Sequence, residues 1–144
     1  KALADLFAEA GKTREALSRM RRVTELAPTT VAHLVERARL EDALKRPKDA
    51  LKSLERALEL EPRYALARAL AARARWALGD LDGAGRDAEA AVSSPDAPAL
   101  AFIVRAALRG ARGDARGQAG DLRRALELEP ALFSAEQRRT IAEA

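Results

Sequence analysis

The sequence predicts an all-α fold, a stack of antiparallel helix pairs, and three observations predict it. The hexapeptide Ala57-Leu-Glu-Leu-Glu-Pro62 recurs letter for letter at Ala125-Leu-Glu-Leu-Glu-Pro130, 68 residues on, and a looser copy, Val23-Thr-Glu-Leu-Ala-Pro28, lies 34 residues before the first. A period of 34 is that of stacked helical hairpins rather than of a compact enzyme domain. Apolar residues recur at helical spacing, as in Leu51, Leu54, Ala57, Leu58 and Ala119, Leu122, Ala125, Leu126. No segment alternates with period two, so no strand is expected.

A 34-residue ruler divides the chain into one array of four units, about 1–30, 31–64, 65–98 and 99–132, with a terminal helix over 133–144. The helix pairs expected are 3–10 with 14–27, 31–44 with 48–60, 66–78 with 81–93, and 99–112 with 115–128, then 135–143. Gly11, Gly79 and Gly113 fall in the turn inside a pair, where a helix end favours a left-handed residue, and Lys45 takes that place in the second unit. Pro47 suits a first helical turn, whose N–H groups have no partner within the helix, and Pro98 opens its helix in the same way. Pro28, Pro62 and Pro130 end the second helices. Thr30 is an N-cap candidate, and Ser134-Ala-Glu-Gln137 reads as a capping box. Gly83, Gly85, Gly117 and Gly120 weaken the second helices of units three and four, each by about 0.8–1 kcal/mol relative to Ala. Close packing at a glycine is the first explanation, and a segment that adjusts on binding is the alternative.

Composition narrows function. A third of the 144 residues are charged, and only 3% are aromatic. Small apolar side chains suit closely packed helices with burial spread along the chain. There is no cysteine, hence no disulfide and no thiolate metal site. No run of 18 apolar residues spans a membrane and no signal peptide is evident, which favours the cytoplasm. Since Lys1 already falls in a first helical turn, further residues upstream are expected. The Ala- and Arg-rich composition points to a bacterial source. The net charge of +4 is interspersed along all four units, as on a solvated helical surface.

Little suggests catalysis. His33 is the single histidine, at a helix start, so no metal site is built from such ligands. No hydroxyl has a neighbour resembling an activating base. Gly79-Asp-Leu-Asp-Gly83 lacks the later acidic ligands and the closing Glu of a calcium loop, and Gly110-Ala-Arg-Gly113 lacks the Gly-Lys-Ser/Thr ending of a phosphate loop. Arg105, Arg109 and Arg112 share a helical face that phosphates would suit, but aromatic interleaving is sparse and Asp121, Glu127 and Glu129 dilute the field. Nucleic acid is not the expected partner, and neither a cofactor nor a metal is expected.

The whole chain resembles the tetratricopeptide repeat family. The resemblance rests on the small-residue columns Ala4, Ala38, Ala72, Ala106 and Ala16, Ala50, Ala84, with Gln118 the exception, and on the column Met20, Leu54, Ala88, Leu122. Paired helices approach to roughly 8–10 Å only where crossing points carry small side chains. Two columns depart from the family pattern: Leu34, Arg68, Phe102 and Phe7, Glu41, Arg75, Arg109. Buried charges there must snorkel or pair, and an ion pair between Glu41 and Arg75 of adjacent units is the expected solution.

The resemblance implies a right-handed superhelical solenoid whose first helices line a groove for a partner peptide or helix. The corresponding residues are Val35 and Arg39, then Leu66, Ala69, Leu70, Arg73 and Trp76, then Leu100, Ile103, Val104 and Ala107. A carboxylate clamp of the Lys, Asn and Arg type is not present: the equivalent positions read Lys1, Asp5, Glu36, Leu66, Leu70, or one unit later Val35, Arg39, Leu70, Leu100, Val104. What remains is an apolar strip beside Arg39 and Arg73, suited to an apolar or amphipathic segment with acidic residues. Trp76 is read either as packing between repeats or as an interface anchor. The expected function is a non-catalytic protein-binding scaffold or adaptor. The alternatives are a regulatory or oligomerisation segment of a larger enzyme or of a secretion or assembly component, and self-association through the strip.

Overall fold

The computed structural model describes residues 2–144. Regular structure among them is entirely helical: α1 (Leu3–Leu26), α2 (Val31–Ala43), α3 (Pro47–Leu60), α4 (Ala65–Ala77), α5 (Leu81–Val92), α6 (Ala99–Ala111), α7 (Ala115–Leu128), a 3-10 turn over Pro130–Leu132, and α8 (Ala135–Glu143). From α2 onward the expected helices appear within about a residue at each end. No helix among the described residues is long and apolar enough to cross a membrane.

The first unit departs from expectation. Instead of a hairpin over 3–10 and 14–27, α1 runs unbroken through Gly11. Thr13 Oγ1 donates to the Glu9 carbonyl across the expected turn. One glycine costs a helix only about 1 kcal/mol, so Gly11 permits a turn without enforcing one.

The other three turns are built alike. Lys45, Gly79 and Gly113 adopt φ of 58°, 83° and 81°, the left-handed region. The residue after each donates its N–H back to the carbonyl of Glu41, Arg75 or Arg109, at 2.9 Å in every case. The left-handed residue donates to Asp42, Trp76 or Gly110. This pair of bonds satisfies carbonyls that a helix end leaves unpaired. Pro47 occupies the first turn of α3. Thr30 stands at the N-cap of α2 without a side-chain cap bond, whereas Ser134 and Gln137 form the full capping box of α8.

Residues up to Pro62 and residues from Arg63 form two compact units. In the first, α2 packs on α1 and α3 over buried Leu17, Leu34, Ala38, Ala50, Leu54 and Ala57. In the second, α4 pairs with α5 and α6 with α7, and both α4 and α5 pack on α6. Its core is largely alanine: Ala72, Ala84 and Ala88 with Val104 and Leu108 form one cluster, and Ala69, Ala91 and Ala101 form another. A third, Ala99, Ala125, Phe133 and Ile141, is closed by α8. Small side chains at these crossings let the backbones approach, as the repeating Ala columns predict.

Candidate functional site

Charged residues at the inward columns find partners inside their own hairpin, with Glu41 Oε2 and Arg37 Nε left as buried atoms without a hydrogen bond. Asp87 on α5 is buried between two arginines of α4: Arg68 donates to it at 3.0 Å and Arg75 at 2.9 Å. Asp121 on α7 is held the same way by α6, with Arg105 donating at 2.8 and 3.0 Å and Arg109 in ion-pair contact at 3.1 Å. In the first unit the polarity is reversed. Glu41 is fully buried, accepts a 2.6 Å hydrogen bond from Ser53 on α3, and pairs with Arg37 at 3.3 Å. Both members of the expected Glu41–Arg75 pair thus have partners within their own hairpin.

The second unit carries one recurring local device, Arg-x4-Asp-x2-Gly-x3-Asp, as Arg75, Asp80, Gly83, Asp87 and again as Arg109, Asp114, Gly117, Asp121. Asp80 and Asp114 cap α5 and α7 by accepting from the N–H of Gly83 and Gly117 at 2.9 and 2.8 Å. The other oxygen of each faces the arginine: Arg75 donates to Asp80 at 3.1 Å, and Arg109 lies 4.0 Å from Asp114. A Cβ on Gly83 would fall 2.2 Å from Asp80 Oδ2, and one on Gly117 would fall 2.1 Å from Asp114 Oδ2. These two glycines are therefore close-packed positions. Gly120 has open space around it, and Gly85 has nothing nearer than the end of Arg112 at 4.0 Å.

Electrostatics follow from this geometry. The Gly83 N–H, and after it Arg75, hold the Asp80 carboxyl below its ordinary range. Burial pulls the Arg75 guanidinium down, but hydrogen bonds to Asp87 and Asp80 outweigh it and leave the group raised. The hydrogen bond to Asp121 raises Arg105 against its own burial. Arg105 also reaches Glu89 at 3.2 Å and stands 5.7 Å from the Phe102 ring centroid. Of the arginine stripe Arg105, Arg109, Arg112, the first two are thus committed to carboxylates.

The expected groove residues fall into two groups by accessibility. Val35, Ala69, Leu70 and Val104 are buried. Leu66, Trp76, Leu100, Ile103 and Ala107 are half-buried, while Arg39 and Arg73 are exposed. Val35 and Arg39 stand on α2 in the first unit, and the rest on α4 and α6 in the second. Lys1, one of the clamp-equivalent positions, lies outside the described residues. Trp76 packs against the cluster of Ala72, Ala84, Ala88, Val104 and Leu108. In the next hairpin the sizes are exchanged: Gly110 stands where Trp76 does, and Gln118 where Ala84 does. Gln118 fills the space, since a Cβ on Gly110 would lie 2.6 Å from its Nε2. The column anomaly at Gln118 is therefore a volume exchange between paired helices.

Sequence reasoning overlooked a cleft of about 560 Å³ between α5 and α6, lined by Asp82, Gly85, Arg86, Glu89, Arg105, Leu108, Arg109 and Arg112. Gly85 is among its lining residues, and the sequence alone marks it only as a weak point of the helix. The spacing of Gly85 and Arg86 against Arg109 and Arg112 was the available signal. Among the described residues no group of three or more His, Asp or Glu side chains is arranged to hold a metal ion.

Residues 34–64 match the tetratricopeptide repeat family model. The chain is similar in fold to TTC0263, a thermophilic tetratricopeptide-repeat protein of Thermus thermophilus, with a TM-score of 0.73 and 20% identity over 98% of this chain and 77% of that one. It is similar to MamA, with a TM-score of 0.70 and 17% identity over 90% and 76% of the two chains. It is also similar to the first tetratricopeptide-repeat domain of human RPAP3, with a TM-score of 0.66 and 24% identity over 81% and 92%. No curated protein sequence gives a significant match.

Proposed function

Residues 34–64 being a tetratricopeptide repeat and the fold being that of tetratricopeptide-repeat structures, we propose that this chain is a non-catalytic scaffold that holds a segment of another protein against α4 and α6. Tetratricopeptide-repeat folds generally mediate protein–protein interaction, and their members are typically non-catalytic. The observation that carries the reading is the accessible part of the strip: Leu66, Leu100, Ile103 and Ala107 are half-buried apolar groups on adjacent helices, with exposed Arg73 beside them. An amphipathic segment would cover the apolar groups with its own apolar face. The commitment of Arg105 and Arg109 to Asp121 favours a protein over nucleic acid as the partner.

Leu70 is only 4% exposed, so substituting it would damage the core rather than the face. Leu66→Asp/Ala107→Asp is the cleaner variant. Peptides selected from a displayed library on the wild-type protein should lose at least tenfold in affinity for it, with helical circular dichroism unchanged. Selected peptides that bind the variant as well as the wild type would place the site elsewhere.

A further inference from the structure

Positions 34 apart reveal an unfilled face on α1. Ala50, Leu54 and Ala57 of α3 are 1%, 0% and 0% exposed. Their counterparts on α1, Ala16, Met20 and Val23, are only half-buried. The segment whose spacing would cover them is Leu3–Ala10, equivalent to the C-terminal half of α2 and its C-cap, Arg37–Leu44. It lies instead on the straight continuation of the same helix, with Leu3 68%, Leu6 48% and Phe7 69% exposed. In every closed hairpin the same two columns touch: Glu41 with Ser53 at 2.6 Å, Arg75 with Asp87 at 2.9 Å, and Arg109 with Asp121 at 3.1 Å. Their counterparts, Phe7 and Arg19, are twelve residues apart along one straight helix, a separation of roughly 18 Å at 1.5 Å per residue.

We propose that Leu3–Ala10 of one chain packs across Ala16, Met20 and Val23 of a second copy, and reciprocally, giving a dimer that exchanges this helical half about Gly11. Three features select a second copy as the occupant. The donor face presents Ala4 and Phe7 to the Ala16 side of the receiver, the register in which Ala38 and Glu41 meet the Ala50 side of α3. The donor carries Asp5 and Glu9, whereas the receiving stretch is rich in arginine, with Arg14, Arg19, Arg21 and Arg22. An unbroken α1 cannot cover its own face, while two-fold exchange rebuilds the ordinary hairpin contact and closes on itself.

The chain has no cysteine, which makes the test direct. Phe7→Cys/Arg19→Cys replaces two exposed side chains, and the pair can bridge only if the Cα atoms come within about 7 Å. Oxidation of the full chain should give a covalent dimer on a non-reducing gel. Light scattering on the wild type should give the mass of two chains, and Phe7→Asp should raise the dimer dissociation constant at least tenfold without loss of helical signal. A disulfide closed within a single chain overturns the proposal, as does absence of any disulfide. A wild type that stays monomeric at high micromolar concentration overturns it too.

Discussion

Gly117 and Gly120 lie three residues apart on α7, and replacing each with Ala should shift stability in opposite directions. Helix propensity alone predicts a gain of about 0.8–1 kcal/mol for either. Gly120 has nothing within 4 Å of the new Cβ, so Gly120→Ala should realise that gain. At Gly117 the Cβ would stand 2.1 Å from Asp114 Oδ2, 2.7 Å from its Cγ and 2.9 Å from Arg109 Cδ. Asp114 must swing away, which removes the cap, worth about 1 kcal/mol, and the exposed contact with Arg109, worth about 0.5 kcal/mol. The loss exceeds the gain, and the two variants should differ by about 1.5 kcal/mol, somewhat more than tenfold in the folding equilibrium. Urea unfolding followed by circular dichroism measures this. In an Asp114→Ala background the cap is already gone, so Gly117→Ala should turn stabilising. Equal stabilisation by the two alanines in the native background would refute the packing argument, as would a Gly117→Ala effect indifferent to Asp114.

Lys45→Gly removes the cost of a left-handed lysine at φ 58° and should stabilise the first unit by about 1 kcal/mol in the same assay. Ser53→Ala deprives buried Glu41 of its 2.6 Å donor and should cost about 2 kcal/mol. Because the folded Asp80 carboxyl is held below its ordinary value of 3.8, its charge stabilises the fold at all higher pH. That contribution is lost as pH falls below this value through the folded pKa. Asp80→Asn keeps a capping oxygen, so the variant should show a shallower acid limb in a stability–pH series while its stability near pH 7 drops.

Sequence periodicity was enough to place α2 to α8, because Pro28, Pro62, Pro130 and the residues at 45, 79 and 113 punctuate the chain chemically. It failed at α1, where Gly11 tolerates a turn but nothing latches one. The other hairpins are tied by a polar contact between their two helices, and Phe7 and Arg19 offer none. The charged columns at 41, 75 and 109 looked like a burial problem to be solved between repeats. Each takes its partner twelve residues further along, at Ser53, Asp87 and Asp121, and that spacing was visible but unread. Burial at Leu70 and Val104 could not be inferred from helical phase alone, since it depends on how closely alanine-rich neighbours approach.

Pairing within the hairpin has a consequence for how such an array can grow or shrink. Asp87 with Arg68 and Arg75 travels as one cassette, and Asp121 with Arg105 and Arg109 as another. The Gly110–Gln118 exchange is likewise internal to a single cassette, whereas Trp76 also packs on Val104 and Leu108 of the next. When a 34-residue hairpin is duplicated as a whole, its buried aspartate therefore brings its own arginines with it. The contact from Arg105 that does cross between cassettes ends on Glu89, an exposed carboxylate that water can solvate in its place. Substitution of either buried aspartate, by contrast, takes one shared acceptor from two arginines at once and leaves Arg75 with Asp80 and Arg105 with Glu89.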